Sequence, residues 1–172
     1  MVDLEARWET ERDRKRVYVP PEDEAFAVEI RLPVAPPAAW AYLTAPQKRL
    51  LWQVDEIEQA DAGGRRFTGT SSVCVDGRAK IYEEILDWRP FEYLTERTTV
   101  SSGLRLVLTT QLETDGDGTR IVTRGRRDGG GRLARLGGVR DFRRRLERRY
   151  ERLVHLVAAD IPEGRRLPLA AS

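Results

Sequence analysis

Two spacings of apolar residues divide the chain. Up to about residue 127 they recur at every second position in short runs; beyond residue 139 they recur at three and four. The run FAVEIRL alternates, setting Phe26, Val28, Ile30 and Leu32 on one face, and predicts a first strand over Phe26–Leu32. Pro36 and Pro37 then open a short helix, AAWAYL, with proline in its first turn. A second short helix, PQKRLLW, starts at Pro46. Trp40, Leu43, Leu50, Leu51 and Trp52 are the expected packing residues of this pair. Six further strands are predicted over 54–60, 66–75, 78–88, 91–100, 104–113 and 119–127. Each is closed by a turn signal, among them Ala62-Gly63-Gly64, Asp76-Gly77, Arg89-Pro90, Ser101-Ser102-Gly103 and Asp115-Gly116-Asp117-Gly118. Turns between consecutive strands imply an antiparallel meander.

The second spacing runs from Val139 to Ala159. Val139, Phe142, Leu146, Tyr150, Leu153, Leu156 and Val157 form one apolar stripe, and arginines cover most of the rest. Gly137-Gly138 precedes this helix and Pro162 follows it. Such a stripe needs a partner surface, and the strands supply one. The expected fold is α+β, with a curved antiparallel sheet of about seven strands, in the order β-α-α-β6-α, wrapped on a long C-terminal helix. The mismatch between twisted sheet and straight helix leaves room for a ligand pocket. Residues 1–24 read as a charged arm, with Leu4 and Trp8 as anchors and Pro20-Pro21 as a break; 25–160 read as the domain and 161–172 as a tail. RLARL, before the last helix, suggests one further helical turn.

Composition narrows the function. The chain has 172 residues, 40% hydrophobic and 34% charged, which fits one soluble domain. No run approaches the roughly 18 apolar residues of a membrane span. The charged N-terminus lacks the apolar core of a secretory signal, so a cytoplasmic location is the default. The one cysteine, Cys74, excludes an internal disulfide, and with the one histidine, His155, it argues against a zinc site. No phosphate loop is present and no cofactor is implied. Net charge is +2, yet thirteen arginines face four acids between Arg120 and Arg152. That block could attract nucleic acid, an anionic membrane or an acidic protein; equally, it is a solvated helix face offset by acids such as Glu147 and Glu151. With Phe142 and Tyr150 in the stripe, no stacking platform lies beside the basic face, so nucleic-acid binding would be weak and nonspecific.

Three stretches carry a resemblance: VEIRLPVAPPAAWAYLTAPQKRLLW at 28–52, GTSSVCVDGRAKIYEEILDWRPFEYLTER at 69–97, and GTRIV at 118–122 ahead of an arginine-rich last helix. Together they resemble the START-like helix-grip superfamily, also called SRPBCC or polyketide cyclase/dehydrase-like, over about residues 26–160. EEILDWRPFEY is most similar to a subgroup found as stand-alone proteins and as a sensory segment near bacterial nucleotidyl cyclases. The resemblance implies the helix-grip fold and a cavity for lipids, sterols, plant hormones or polyketides. Some members are aromatase/cyclases. The superfamily shares no catalytic residue set, so the resemblance assigns no catalytic residue.

The candidate chemistry is sparse. His155 lies almost opposite the stripe and faces water, out of reach of a pocket. Cys74 reads as a small buried hydrophobe. Arg149 falls within the apolar arc, which is costly for a guanidinium unless it snorkels or pairs with a strand acid such as Glu84 or Glu113; otherwise it enters the cavity and grips a ligand carboxylate or enolate. On the strands, Tyr82, Glu84 and Trp88 share one parity, as do Tyr93 and Arg97; facing inward, they would form an aromatic wall with polar handles. Ile81 and Ile85 compete for that side. Trp40 and Trp52 read as core. The candidate ligand-binding set is therefore Tyr82, Glu84, Trp88, Tyr93, Arg97, Phe142, Leu146, Arg149, Tyr150 and Leu153. The expected function is binding of an apolar or aromatic small molecule between sheet and helix, as a carrier or sensory module. A polyketide aromatase/cyclase-like enzyme is the alternative, and an interaction protein using its basic helix on a protein partner is the third reading.

Overall fold

The computed structural model describes residues 16–59, 67–129 and 138–161. The elements are β1 (Phe26–Leu32), α1 (Pro36–Thr44), α2 (Pro46–Arg49), β2 (Glu56–Gln59), β3 (Ser71–Asp76), β4 (Ala79–Arg89), β5 (Tyr93–Val100), β6 (Arg105–Asp115), β7 (Gly118–Arg127) and α3 (Gly138–Asp160). All seven strands join one antiparallel sheet in the order β1-β7-β6-β5-β4-β3-β2. The first strand therefore pairs with the last, and β1 and β2 are the edges. This is the α+β helix-grip arrangement: a curved open sheet with a long C-terminal helix across one face.

Local sequence explains the helices. Pro36 and Pro37 start α1, where their missing N–H groups cost nothing. Ala45 ends α1 and begins α2; preceding Pro46, it is held extended, at φ −72° and ψ 123°, and the two helices stay separate. Trp52 Nε1 donates to the Tyr42 carbonyl at 3.0 Å, folding the chain after α2 back onto α1. The Tyr42 hydroxyl donates to the Asp160 carboxylate, tying α1 to the end of α3; burial, then that carboxylate, push the phenol up to about 12.

The apolar stripe of α3 buries Phe142, Leu146, Tyr150, Leu153 and Val157, with Arg149 among them. Its partners include Phe26, Val28 and Leu32 of β1, Leu106, Leu108 and Leu112 of β6, and Trp40 and Leu43 of α1. Gly125 on β7 sits opposite Phe26 in register, and a Cβ there would come within 2.4 Å of the Phe26 ring. The absent side chain thus lets Phe26 lie flat on the sheet and reach Phe142, ring centroids 6.1 Å apart. On the other face, residues 16–20 cross the sheet: Val17 N–H donates to Asp87 and Val19 N–H to the Thr109 hydroxyl, while Tyr18 meets Tyr93 edge-on.

Four expectations shift. The strand expected from Arg66 begins at Ser71, because Phe67–Thr70 form a turn: Thr70 donates its N–H at 3.0 Å and its hydroxyl at 2.8 Å to the Phe67 carbonyl, and Gly69 takes φ +91°. The strand expected from Val54 begins at Glu56. Leu50 and Leu51 are exposed, since α2 stops at Arg49 and it is Arg49 that turns inward. Residues 16–24 of the expected arm are tied to the domain. Leu4, Trp8, Ala60, Arg66, RLARL and the tail from Pro162 lie outside the described residues.

Candidate functional site

Alternation along β4 and β5 sends Ile81, Glu83 and Ile85, and Leu94, Glu96 and Thr98, to the helix side of the sheet. In register, Glu83 stands opposite Thr98, and Leu94 leads across β6 and β7 to Thr110 and Thr123. Above them lie Leu43, Trp52 and Gln53 from the α1–α2 region and Phe142, Leu146, Arg149 and Tyr150 from α3. Between the layers is a cavity of about 40 Å³, room for roughly two or three waters.

Its walls are partly polar, and Arg49 holds two of the wall residues, Gln53 and Glu83, without lining the cavity itself. Arg49 is fully buried; its Nη2 donates to both Glu83 oxygens, at 2.7 and 2.9 Å, and its Nε to Gln53 at 2.5 Å. Ser72 donates to the same carboxylate at 3.2 Å, and Cys74 Sγ lies 3.7 Å from Arg49 Nη2. Burial pulls the guanidinium pKa down, yet Glu83, then Cys74 and Glu96, hold it above its ordinary value. Burial and the Glu83 charge push the Cys74 thiol up to about 12, so at neutral pH it is a thiol and not a nucleophile. At the other end, Thr110, Thr123 and Tyr150 form a chain of three hydroxyls. Burial pushes the Tyr150 phenol up to about 12, so it stays a donor. Two buried polar atoms have no hydrogen-bond partner among the described residues: Thr98 Oγ1 and Arg49 Nη1. Among the described residues no three of His, Cys, Asp or Glu converge as metal ligands would.

Sheet and helix agree with what comparison shows. The family model for polyketide cyclase / dehydrase and lipid transport matches residues 24–161. The chain belongs to that family. Solved structures share its fold at low identity. The protein MLL2253 from Mesorhizobium loti is 16% identical, with TM-score 0.66 over 80% of this chain and 100% of that one. CalU16 from Micromonospora echinospora is 17% identical, with TM-score 0.56 over 77% and 74%. DynU16, from the dynemicin biosynthetic locus, is 20% identical, with TM-score 0.56 over 76% of this chain and 48% of its own. At these identities the likeness speaks for the fold. No curated protein sequence matches the chain.

Within this polyketide cyclase/dehydrase fold, the residues singled out by pattern fall on both sides of the sheet. Phe142, Leu146, Arg149 and Tyr150 line the cavity; Leu153 is buried beside them without lining it. The inward aromatic wall is not formed. Tyr82, Glu84, Tyr93 and Arg97 point to the opposite face, because Ile81 and Ile85 take the inside. There Arg97 bridges Glu84 at 2.6 Å and Asp128 at 2.8 Å, and the Tyr93 hydroxyl donates to Asp87 at 2.7 Å. Tyr82, Glu84 and Arg97 border a shallow groove of about 280 Å³ on that face. Trp88 departs from Tyr82 and Glu84: a bulge between Ile85 and Asp87 inserts one residue and reverses the parity. Trp88 meets Trp40 edge-on at 4.9 Å, away from the cavity. Arg149 pairs with Asp76, at the β3–β4 turn, while Glu84 and Glu113 serve Arg97 and Arg120. His155 is exposed. Arg49, Gln53, Glu83, Glu96, Thr98, Thr110 and Thr123 escaped the sequence reading. The signal for Glu83 was there: it sits midway between Ile81 and Ile85, so granting those two the inside fixes its direction.

Proposed function

We propose that the protein binds a small apolar or aromatic molecule between the sheet and α3, acting as a carrier or sensory module. The observation that carries this reading is the cavity between the layers, whose wall includes a buried hydroxyl, that of Thr98, with no hydrogen-bond partner among the described residues. A core that serves only stability satisfies its polar groups internally. Leu43, Leu94, Leu108, Phe142 and Leu146 supply the apolar wall, and the polar groups fix orientation. The protonated Cys74 and exposed His155 favour binding over nucleophilic catalysis. Native mass spectrometry of the protein as purified tests this: a retained small molecule is expected, released on unfolding. Bare protein that also shows no tryptophan fluorescence change with aromatic probes rejects the reading, since Trp52 lines the cavity.

A second reading, a polyketide aromatase/cyclase-like enzyme, draws on Glu83, Glu96 and Tyr150 facing one space. Such groups can orient a reactive chain for ring closure. A change in the ring pattern formed from a poly-β-keto thioester on adding the protein would favour it.

A further inference from the structure

We propose that the solvent face of α3 is a docking surface for an acidic helical segment of a partner protein, one that carries carboxylates at every fourth residue. Arg140, Arg144, Arg148 and Arg152 recur at four-residue spacing along α3, and all four are exposed. At 1.5 Å of rise per residue, neighbours in this inclined row stand about 6 Å apart and its ends about 18 Å apart. The row works against the helix that carries it. Like charges four residues apart repel on a helix surface. The arginines of α3 all lie between 140 and 152, and none is in the last turn, where the helix dipole favours a cation. Nor is the row offset from within. Glu147 pairs with Arg143, which lies off the row; Arg149 turns inward to Asp76; Asp160 is taken by Tyr42 and Lys48. None of the four arginines pairs with a carboxylate among the described residues. The row costs the helix stability and gains no ion pair within the described fold, as a recognition surface does.

Charge and shape choose between anionic partners. Nucleic acid, or an anionic membrane, responds to the sum of charge over its footprint. On the solvent side of α3 six arginines stand among four acids, Asp141, Glu147, Glu151 and Asp160, so that sum is small. A membrane-surface helix also needs large apolar side chains to insert, and α3 exposes none. Its aromatics, Phe142 and Tyr150, are buried, so no base can stack there. An ordered partner senses the row and not the sum. A helix laid alongside, with carboxylates at i, i+4, i+8 and i+12, repeats the interval of about 6 Å. Each guanidinium then grips one carboxylate through two parallel hydrogen bonds. Those pairs also relieve the repulsion within the row.

The test titrates four probes against the full chain at physiological salt and follows amide chemical shifts. The first is an alanine-rich helical peptide with four glutamates at every fourth position. The second has the same composition with its glutamates five apart, which fans them around the helix. The third is a short DNA duplex, and the fourth is vesicles of phosphatidylserine and phosphatidylcholine. Each exposed ion pair adds little, so the first peptide is expected to bind about fivefold more tightly than the second. In Arg144→Gln/Arg148→Gln that preference should fall below about twofold, while Arg143→Gln, off the row, keeps it. The same double variant should keep or raise Tm, because it removes like-charge contacts. Equal binding of the two peptides overturns the docking surface, as does a preference that survives Arg144→Gln/Arg148→Gln. Tighter binding of DNA or vesicles than of the first peptide overturns it in favour of a polyanion. A fall in Tm of the double variant overturns it by showing that the row serves the fold. No binding of any probe overturns it too, and every one of these outcomes leaves the cavity reading standing.

Discussion

At the scale of single residues, the side chain that matters most to the interior is a charged one. Arg49 is fully buried and Glu83 nearly so. A pair this far from water repays its desolvation only through close geometry and added hydrogen bonds, which Gln53 and Ser72 provide. Removing one partner strands the other. Glu83→Gln is expected to cost about 3–5 kcal/mol in urea unfolding. Arg49→Met should cost a similar amount, and the double variant Arg49→Met/Glu83→Met should be less destabilised than the sum, by about 2–3 kcal/mol of coupling. Because Glu96 loses the favourable charge of Arg49, the double variant should not regain full stability. Simple additivity within about 0.5 kcal/mol would show that the pair does not hold α2 to the sheet.

At the scale of elements, alternation and turn signals carry most of the fold. LRLVLTTQLE is legible as a strand because its leucines recur at every second position, and the last helix because its stripe has one consistent spacing. The site resists the same reading for two physical reasons. Parity alone does not say which side is inside, and Tyr82 and Trp88 look like better wall material than Glu83. Then the bulge after Ile85 changes the parity within one strand, so no single assignment of β4 is right at both ends. Arg49 fails for a related reason: no apolar pattern predicts that an arginine will go in while Leu50 and Leu51 stay out. Gly125 is a packing device of the same scale, legible only once β1 lies on β7. Gly125→Ala should cost about 1–3 kcal/mol, since the Phe26 ring occupies the Cβ position and is backed by Phe142. For a chain of this length that is a fall of roughly 2–4 °C in Tm per kcal/mol. Phe26→Leu in the same background should recover part of the loss. A Tm unchanged by Gly125→Ala would mean that the ring slides aside freely and does not fix the angle between β1 and α3.

At the scale of the whole molecule, the layers are closed too tightly for the ligand class proposed. A volume of about 40 Å³ admits a few waters, whereas even one aromatic ring needs more. Uptake therefore requires sheet and helices to part. The Arg149–Asp76 pair joins α3 to the β3–β4 turn, and the Tyr42–Asp160 bond joins α3 to α1, so both must be compatible with an opened state. Binding that waits on such opening has a kinetic signature: the observed rate rises with ligand concentration and then levels off at the opening rate. Stopped-flow tryptophan fluorescence with an aromatic ligand should show that plateau, with an apparent association rate constant below about 10⁵ M⁻¹s⁻¹. Asp76→Asn weakens the hold of the β3–β4 turn on Arg149 and should raise the plateau several-fold. A rate that stays linear in ligand concentration, or a plateau indifferent to Asp76→Asn, would place the way in elsewhere than between α3 and the β3–β4 turn.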